Sequence, residues 1–257
     1  MNPSDRAAAL NLLGLSLSLG AISVPLLLSL GDRLPSSVAL RLLAVGIAVI
    51  LLLVLLLRFP PAKRPGTPVN KLLRALNQGP LWLFGVLLFF ESASENCMFV
   101  WSSKIVADVL RTGPHRANLA LVALSAAHGI GRWIAAFGLR GVDGRTVIRL
   151  STAATVAGAL VIHVSREFPY MVIGIVVIGL GFSAIFPTAL GLAGDRFPGE
   201  TGTVFGALMT VAAVGGMVGP TAGAWLGDKG PLRVLWIPVG AATAIAALTL
   251  AAPLQKE

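Results

Sequence analysis

Two carboxylates, Glu91 and Glu95, stand four residues apart inside Leu81–Val109, a stretch otherwise apolar enough to cross a bilayer. That spacing places both on one face of a helix. They fall ten and fourteen residues into the stretch, near mid-depth at about 1.5 Å per residue. An ionisable group there is costly and comes with a partner, a water-filled cavity or a function. The chemistry open to such a pair is proton exchange, or hydrogen bonding to a polar solute in a central cavity. The structural alternative is a contact with Lys104, Arg132 or a packed helix. Met98 and Ser102 continue the same face.

Other residues in these spans add to the candidate site. Asn96 and Trp101 follow on the same stretch, and a Trp beside polar groups can stack on a sugar ring or serve as packing. Lys104 is near enough to the outer end to snorkel. His128, in the middle of the next apolar span, could relay protons or pack as a hydrogen-bonded histidine. No Walker loop, HExxH, nucleophile elbow or Cys/His metal spacing occurs, so neither enzyme chemistry nor a metal or cofactor is indicated. The lone Cys97 excludes an intramolecular disulfide.

The elements that must position these groups are membrane helices. Of 257 residues, 56% are apolar and 12% charged, with a mean hydropathy of +0.85, against about 25% charged in soluble domains. The net charge of +9 is spread through the connections between apolar runs, without the basic, aromatic-interleaved stripe of a nucleic-acid face. About 20 apolar residues cross a bilayer, and eight such runs occur: Ala8–Leu30, Val38–Leu57, Leu81–Val109, Asn118–Leu139, Val147–Val164, Pro169–Gly194, Thr201–Leu226 and Leu232–Ala252. The first is too long for a signal-peptide core and reads as a retained span. The proline-rich connection Arg58–Pro80 is the clearest domain boundary, dividing the chain into residues 1–58, a cytoplasmic linker 59–80, and a bundle 81–257. With both termini cytoplasmic, inner connections hold 11 Lys/Arg and outer ones 7, which favours that orientation in a plasma (inner) membrane. Long continuous apolar runs lack the alternation of a membrane barrel. Glycines at four-residue spacing, such as Gly215, Gly219 and Gly223, allow close helix packing, while Pro187 and Pro220 allow bends.

Several segments resemble the major facilitator superfamily, in particular its fucose:proton symporter-like sugar branch. Phe89-Phe90-Glu91-Ser92-Ala93-Ser94-Glu95-Asn96-Cys97-Met98-Phe99-Val100-Trp101 is similar to that branch's seventh helix, with Glu95 and Trp101 on its characteristic positions. Glu91 departs from the pattern, where an aromatic is usual. Gly131-Arg132 and Arg140-Gly141-Val142-Asp143-Gly144-Arg145 resemble the end of helix eight and the charged loop that follows it. Gly181–Thr188 with Asp195-Arg196-Phe197 resembles helix ten, and Gly215–Pro220 with Gly223 the Gly-Pro motif of helix eleven. The first span, with Asn11, Gly20 and Pro25, resembles helix five, although Ser18, Ser23 and Val24 replace its usual small positions.

The resemblance implies a partial major-facilitator fold: an all-α membrane protein of about eight transmembrane helices, equivalent to helices five to twelve. It implies two helices of an amino-terminal half and a complete six-helix carboxy-terminal half. The expected function is proton-coupled symport of a sugar or other small polar solute by alternating access, with a missing amino-terminal half as a further partner beside lipid, solute and proton. Glu95, Glu91, Asn96, Trp101 and His128 are the expected solute and proton residues. Arg132, Arg140, Asp143 and Arg145 are the expected inner-gate residues. The alternative is a transport-incompetent membrane binding or scaffold protein that keeps a truncated transporter fold.

Overall fold

The computed structural model describes residues 36–56, 77–139, 141–198 and 200–251, with scattered helical positions between 10 and 26. The helices are α1 (Ser36–Leu56), α2 (Gly79–Leu110), α3 (Pro114–Phe137), α4 (Gly144–Val164), α5 (Phe168–Ser183), α6 (Ile185–Arg196), α7 (Thr201–Gly227) and, after a 3-10 turn at Pro231–Leu235, α8 (Trp236–Ala251). The protein is all-α, with no strand among the described residues. Six segments, α2, α3, α4, α5 with α6, α7, and the turn with α8, are long and apolar enough to cross a membrane, and α1 carries a shorter apolar stretch. Of the linker, residues 59–76 lie outside the described residues, as does most of the first span.

Local chemistry sets the helix ends. Pro80, Pro114 and Pro169 occupy the first turns of α2, α3 and α5, where a missing N–H removes no intrahelical bond. The Asp143 carboxylate caps α4 by accepting from the Thr146 backbone N–H at 3.1 Å. Arg111 ends α2 in the left-handed region, with φ 50°. The expected single span Pro169–Gly194 is broken at Ala184. Pro187 accounts for the break: its ring crowds the carbonyl four residues back, at Ser183, and it offers that carbonyl no N–H.

Helix α2 lies centrally, packed on α3, α7 and α8, while α5 packs on α3 and α4, and α4 on α8. Close approach is made at glycines. A Cβ at Gly215 or Gly219 of α7 would run into the backbone carbonyls of Phe89 or Ala93 on α2, and one at Gly131 of α3 would meet the Ser183 side chain. Phe84, Leu88, Met98, Leu124, Ile175 and Phe182 belong to the core filled between these backbones. Helices α2 and α3, joined by the short connection 111–113, pack as an antiparallel pair whose register sets Glu95 opposite His128.

Candidate functional site

That register builds a polar ladder. Glu91 and Glu95 project from α2 one turn apart, and His128 and Arg132 project one turn apart from antiparallel α3, so the earlier acid faces the later base. Glu95 Oε2 lies 3.5 Å from His128 Nε2, and Arg132 acts electrostatically on both carboxylates. The Ser92 hydroxyl donates to Glu91 Oε2 at 3.2 Å. Glu91 is 1% exposed, His128 4% and Arg132 8%, whereas the Glu95 side chain retains 19%. The Phe99 and Phe182 rings flank the imidazole, their centroids 5.4 and 5.6 Å away, and screen it from water.

Polar capacity remains in reserve. Glu91 Oε1, Ser94 Oγ, Ser102 Oγ, His128 Nε2 and Arg132 Nε are buried without a hydrogen-bond partner. Buried polar atoms are nearly always satisfied, and three of these five, on Glu91, His128 and Arg132, belong to the ladder. The low local dielectric strengthens the interactions made there.

The other expected residues lie elsewhere. Asn96 is exposed, donates from Nδ2 to the Ser92 carbonyl at 2.9 Å, and sits beside Gly216 on the α7 side of α2. Trp101 donates its indole N–H to the Pro220 carbonyl at 3.0 Å, its ring fitted against Gly223 and Gly227. Its polar group is therefore used in joining α2 to α7. Lys104 is exposed and paired with Asp108 at 2.9 Å. Asp143 caps α4, Arg145 is half-buried in its first turn, and Arg140 lies outside the described residues. Arg132 lies inside α3, within the apolar span where the sequence puts it, one turn from His128.

The first segment meets the ladder at Gly14. Asn11 is buried, and a Cβ at Gly14 would collide with the Arg132 guanidinium and lie 3.2 Å from its Cδ. Nothing in the sequence marks Gly14 apart from the chain's 29 glycines. Its significance comes only from a contact more than a hundred residues distant. Two apolar grooves, of ≈ 520 Å³ between α2 and α7 and ≈ 540 Å³ between α4 and α8, lie away from the ladder.

Comparison with known proteins agrees with this architecture. The chain is 29% identical over 178 residues to an uncharacterized transporter, y4wD, of Sinorhizobium fredii, covering 69% of this chain and 46% of that protein. It thus spans about half the length of that curated relative. The fold matches the crystal structure of the transporter FucP in its outward conformation with a TM-score of 0.71 at 18% identity, covering 96% of this chain and 68% of that one. A single-residue variant of the E. coli fucose:proton symporter FucP matches with a TM-score of 0.63 at 15% identity, over 82% and 53% of the respective chains. The model of the Major Facilitator Superfamily matches residues 105–256. With that match across more than half its length, and with its apolar helices, the chain belongs to the Major Facilitator Superfamily, a family of integral membrane transporters rather than enzymes.

Proposed function

We propose that this chain contributes to proton-coupled symport of a sugar or another small polar solute by alternating access. The observation that carries the reading is the buried ladder of Glu91, Glu95, His128 and Arg132, which holds two carboxylates inside a spanning helix with the His128 imidazole 3.5 Å from Glu95. Glu95 retains exposure and the imidazole contact, so it is the group assigned to exchange the proton or bind a solute hydroxyl. His128 relays, and Glu91 holds Arg132. Asn96 and Trp101 shape the α2–α7 wall of the solute path, while Arg132, Arg140, Asp143 and Arg145 control inner closure.

In this reading residues 1–58 belong to an amino-terminal half, residues 59–80 form a cytoplasmic linker, and residues 81–257 form the carboxy-terminal bundle. Further helices of an amino-terminal half are the expected partner. The location is a plasma (inner) membrane with both termini cytoplasmic. The FucP likeness supports the solute class, and the intramembrane acids support the coupling ion. The test is uptake of a radiolabelled sugar panel by proteoliposomes containing the chain, under an imposed inward proton gradient. Uptake that collapses with a protonophore supports symport. A folded chain that passes no solute favours the binding or scaffold alternative.

A further inference from the structure

The groove between α4 and α8, of ≈ 540 Å³, owes its width to small side chains on both walls, Ala153 and Ala157 on α4 and Ala242 and Ala246 on α8. Both helices belong to spanning segments. From Arg149 to Leu160 the α4 wall advances eleven residues, roughly 16 Å at about 1.5 Å per residue. That is about the depth of one leaflet, half of a hydrocarbon core of roughly 30 Å. The groove is apolar along its length and charged at one end. There the half-buried Arg149 donates from Nη2 to the Thr249 carbonyl of α8 at 2.8 Å, which holds the guanidinium across the mouth, while Nε is buried without a hydrogen-bond partner. Among the described residues no carboxylate pairs with it and none lines the groove. The Thr152 and Thr243 hydroxyls of the groove each donate at 2.8 Å to a carbonyl of their own helix. An arginine carries five N–H donors and keeps its charge, so the guanidinium has both left to offer a ligand. Arg145, one turn nearer the start of α4, adds a second positive charge on the same face.

We propose that this groove is a binding site for an anionic phospholipid of the surrounding bilayer, with one acyl chain lying between α4 and α8 and the headgroup phosphate accepting hydrogen bonds from Arg149. The occupant follows from what the groove offers. An apolar trough one leaflet deep matches hydrocarbon, and an arginine with no carboxylate partner at its mouth matches a phosphate, to which it gives charge-assisted hydrogen bonds. An apolar helix of a second copy would fill the trough but leave the arginine without a counter-ion, a costly arrangement. Basic pockets between spanning helices on the cytoplasmic side hold lipid headgroups in this way, and in the proposed orientation this end of α4 faces the cytoplasm. The ladder residues all stand on α2 and α3, so a lipid in the α4–α8 groove binds apart from them.

The experiment is native mass spectrometry of the full chain in detergent micelles, titrated with equal amounts of dioleoyl phosphatidylglycerol and dioleoyl phosphatidylcholine, whose acyl chains are identical. The parent should retain one phosphatidylglycerol about fivefold more tightly than phosphatidylcholine, the step that one basic side chain contributes at a membrane surface. Arg149→Lys should keep the anionic preference, and Arg149→Gln should remove it. Ala157→Leu fills the trough from an exposed position and leaves Arg149 in place, so it should weaken retention of both lipids. Phosphatidylglycerol should also raise the melting temperature in detergent of the parent and of Arg149→Lys, and leave that of Arg149→Gln unchanged. Equal retention of the two lipids by the parent overturns the proposal. So does an anionic preference that survives Arg149→Gln, a retention untouched by Ala157→Leu, or a dimer that carries no lipid.

Discussion

At the scale of single residues, the ladder behaves as a unit whose members are costly in isolation. Arg132 is buried facing two carboxylates, so Arg132→Gln leaves negative charge without its counter-ion, a change typically worth about 3–5 kcal/mol of stability. Glu91→Gln in that background removes the stranded charge and should recover much of the loss. Thermal unfolding of the two single variants and the double variant in detergent measures this coupling, and additive losses would show that the two residues do not interact. The pair of acids was legible in the sequence because charge is scarce in an apolar span. Their partners were less so. A histidine and an arginine four apart on the next span fit a packed face equally well, and only the antiparallel register pairs the earlier acid with the later base. Asn96 and Trp101 share the α2 sequence with the acids, yet they turn toward α7. Sequence proximity on a helix does not carry a side chain around its axis.

At the scale of helices, glycine sets the distances on which the site depends. Gly219 has no room for a side chain because the Ala93 backbone carbonyl of α2 occupies the position its Cβ would take. Gly219→Val should therefore separate α7 from α2 and destabilise the chain by about 1–3 kcal/mol, the usual cost of overpacking. The same exchange at exposed Gly206, where a Cβ meets nothing within 4 Å, should be tolerated. Comparing detergent melting temperatures of the two variants checks the contrast, and equal losses would contradict it. Helix boundaries were largely visible from hydropathy: the expected Val147–Val164 and Thr201–Leu226 became Gly144–Val164 and Thr201–Gly227. The break at Ala184 was not, since hydropathy continues unchanged through Phe182–Ile185, and Pro187 by itself is compatible with either a bend or an interruption.

At the scale of the whole molecule, the alternation of six spanning segments from Gly79 to Ala251 fixes opposite sides for successive connections. The excess of Lys/Arg in the connections assigned to the inside favours the proposed direction, with both termini cytoplasmic. Fluorescent reporters fused after Gly141 or Glu257 should report cytoplasm, and phosphatase fused after Gly113 or Gly230 should be active outside. The reverse pattern would invert the account's topology. Composition disclosed the membrane class at once, whereas the contact of the amino-terminal segment with Arg132 depends on tertiary placement that no local pattern encodes.

The most direct test of the central claim is sugar-driven proton uptake by proteoliposomes containing the chain or its Glu95→Gln variant, followed by external pH. Addition of a transported sugar should alkalinise the external medium with the parent. With the variant, at matched protein incorporation, the rate should fall at least about tenfold, the change that accompanies about 1.4 kcal/mol. Undiminished sugar-driven proton uptake by Glu95→Gln would contradict the assignment of Glu95 as the coupling group.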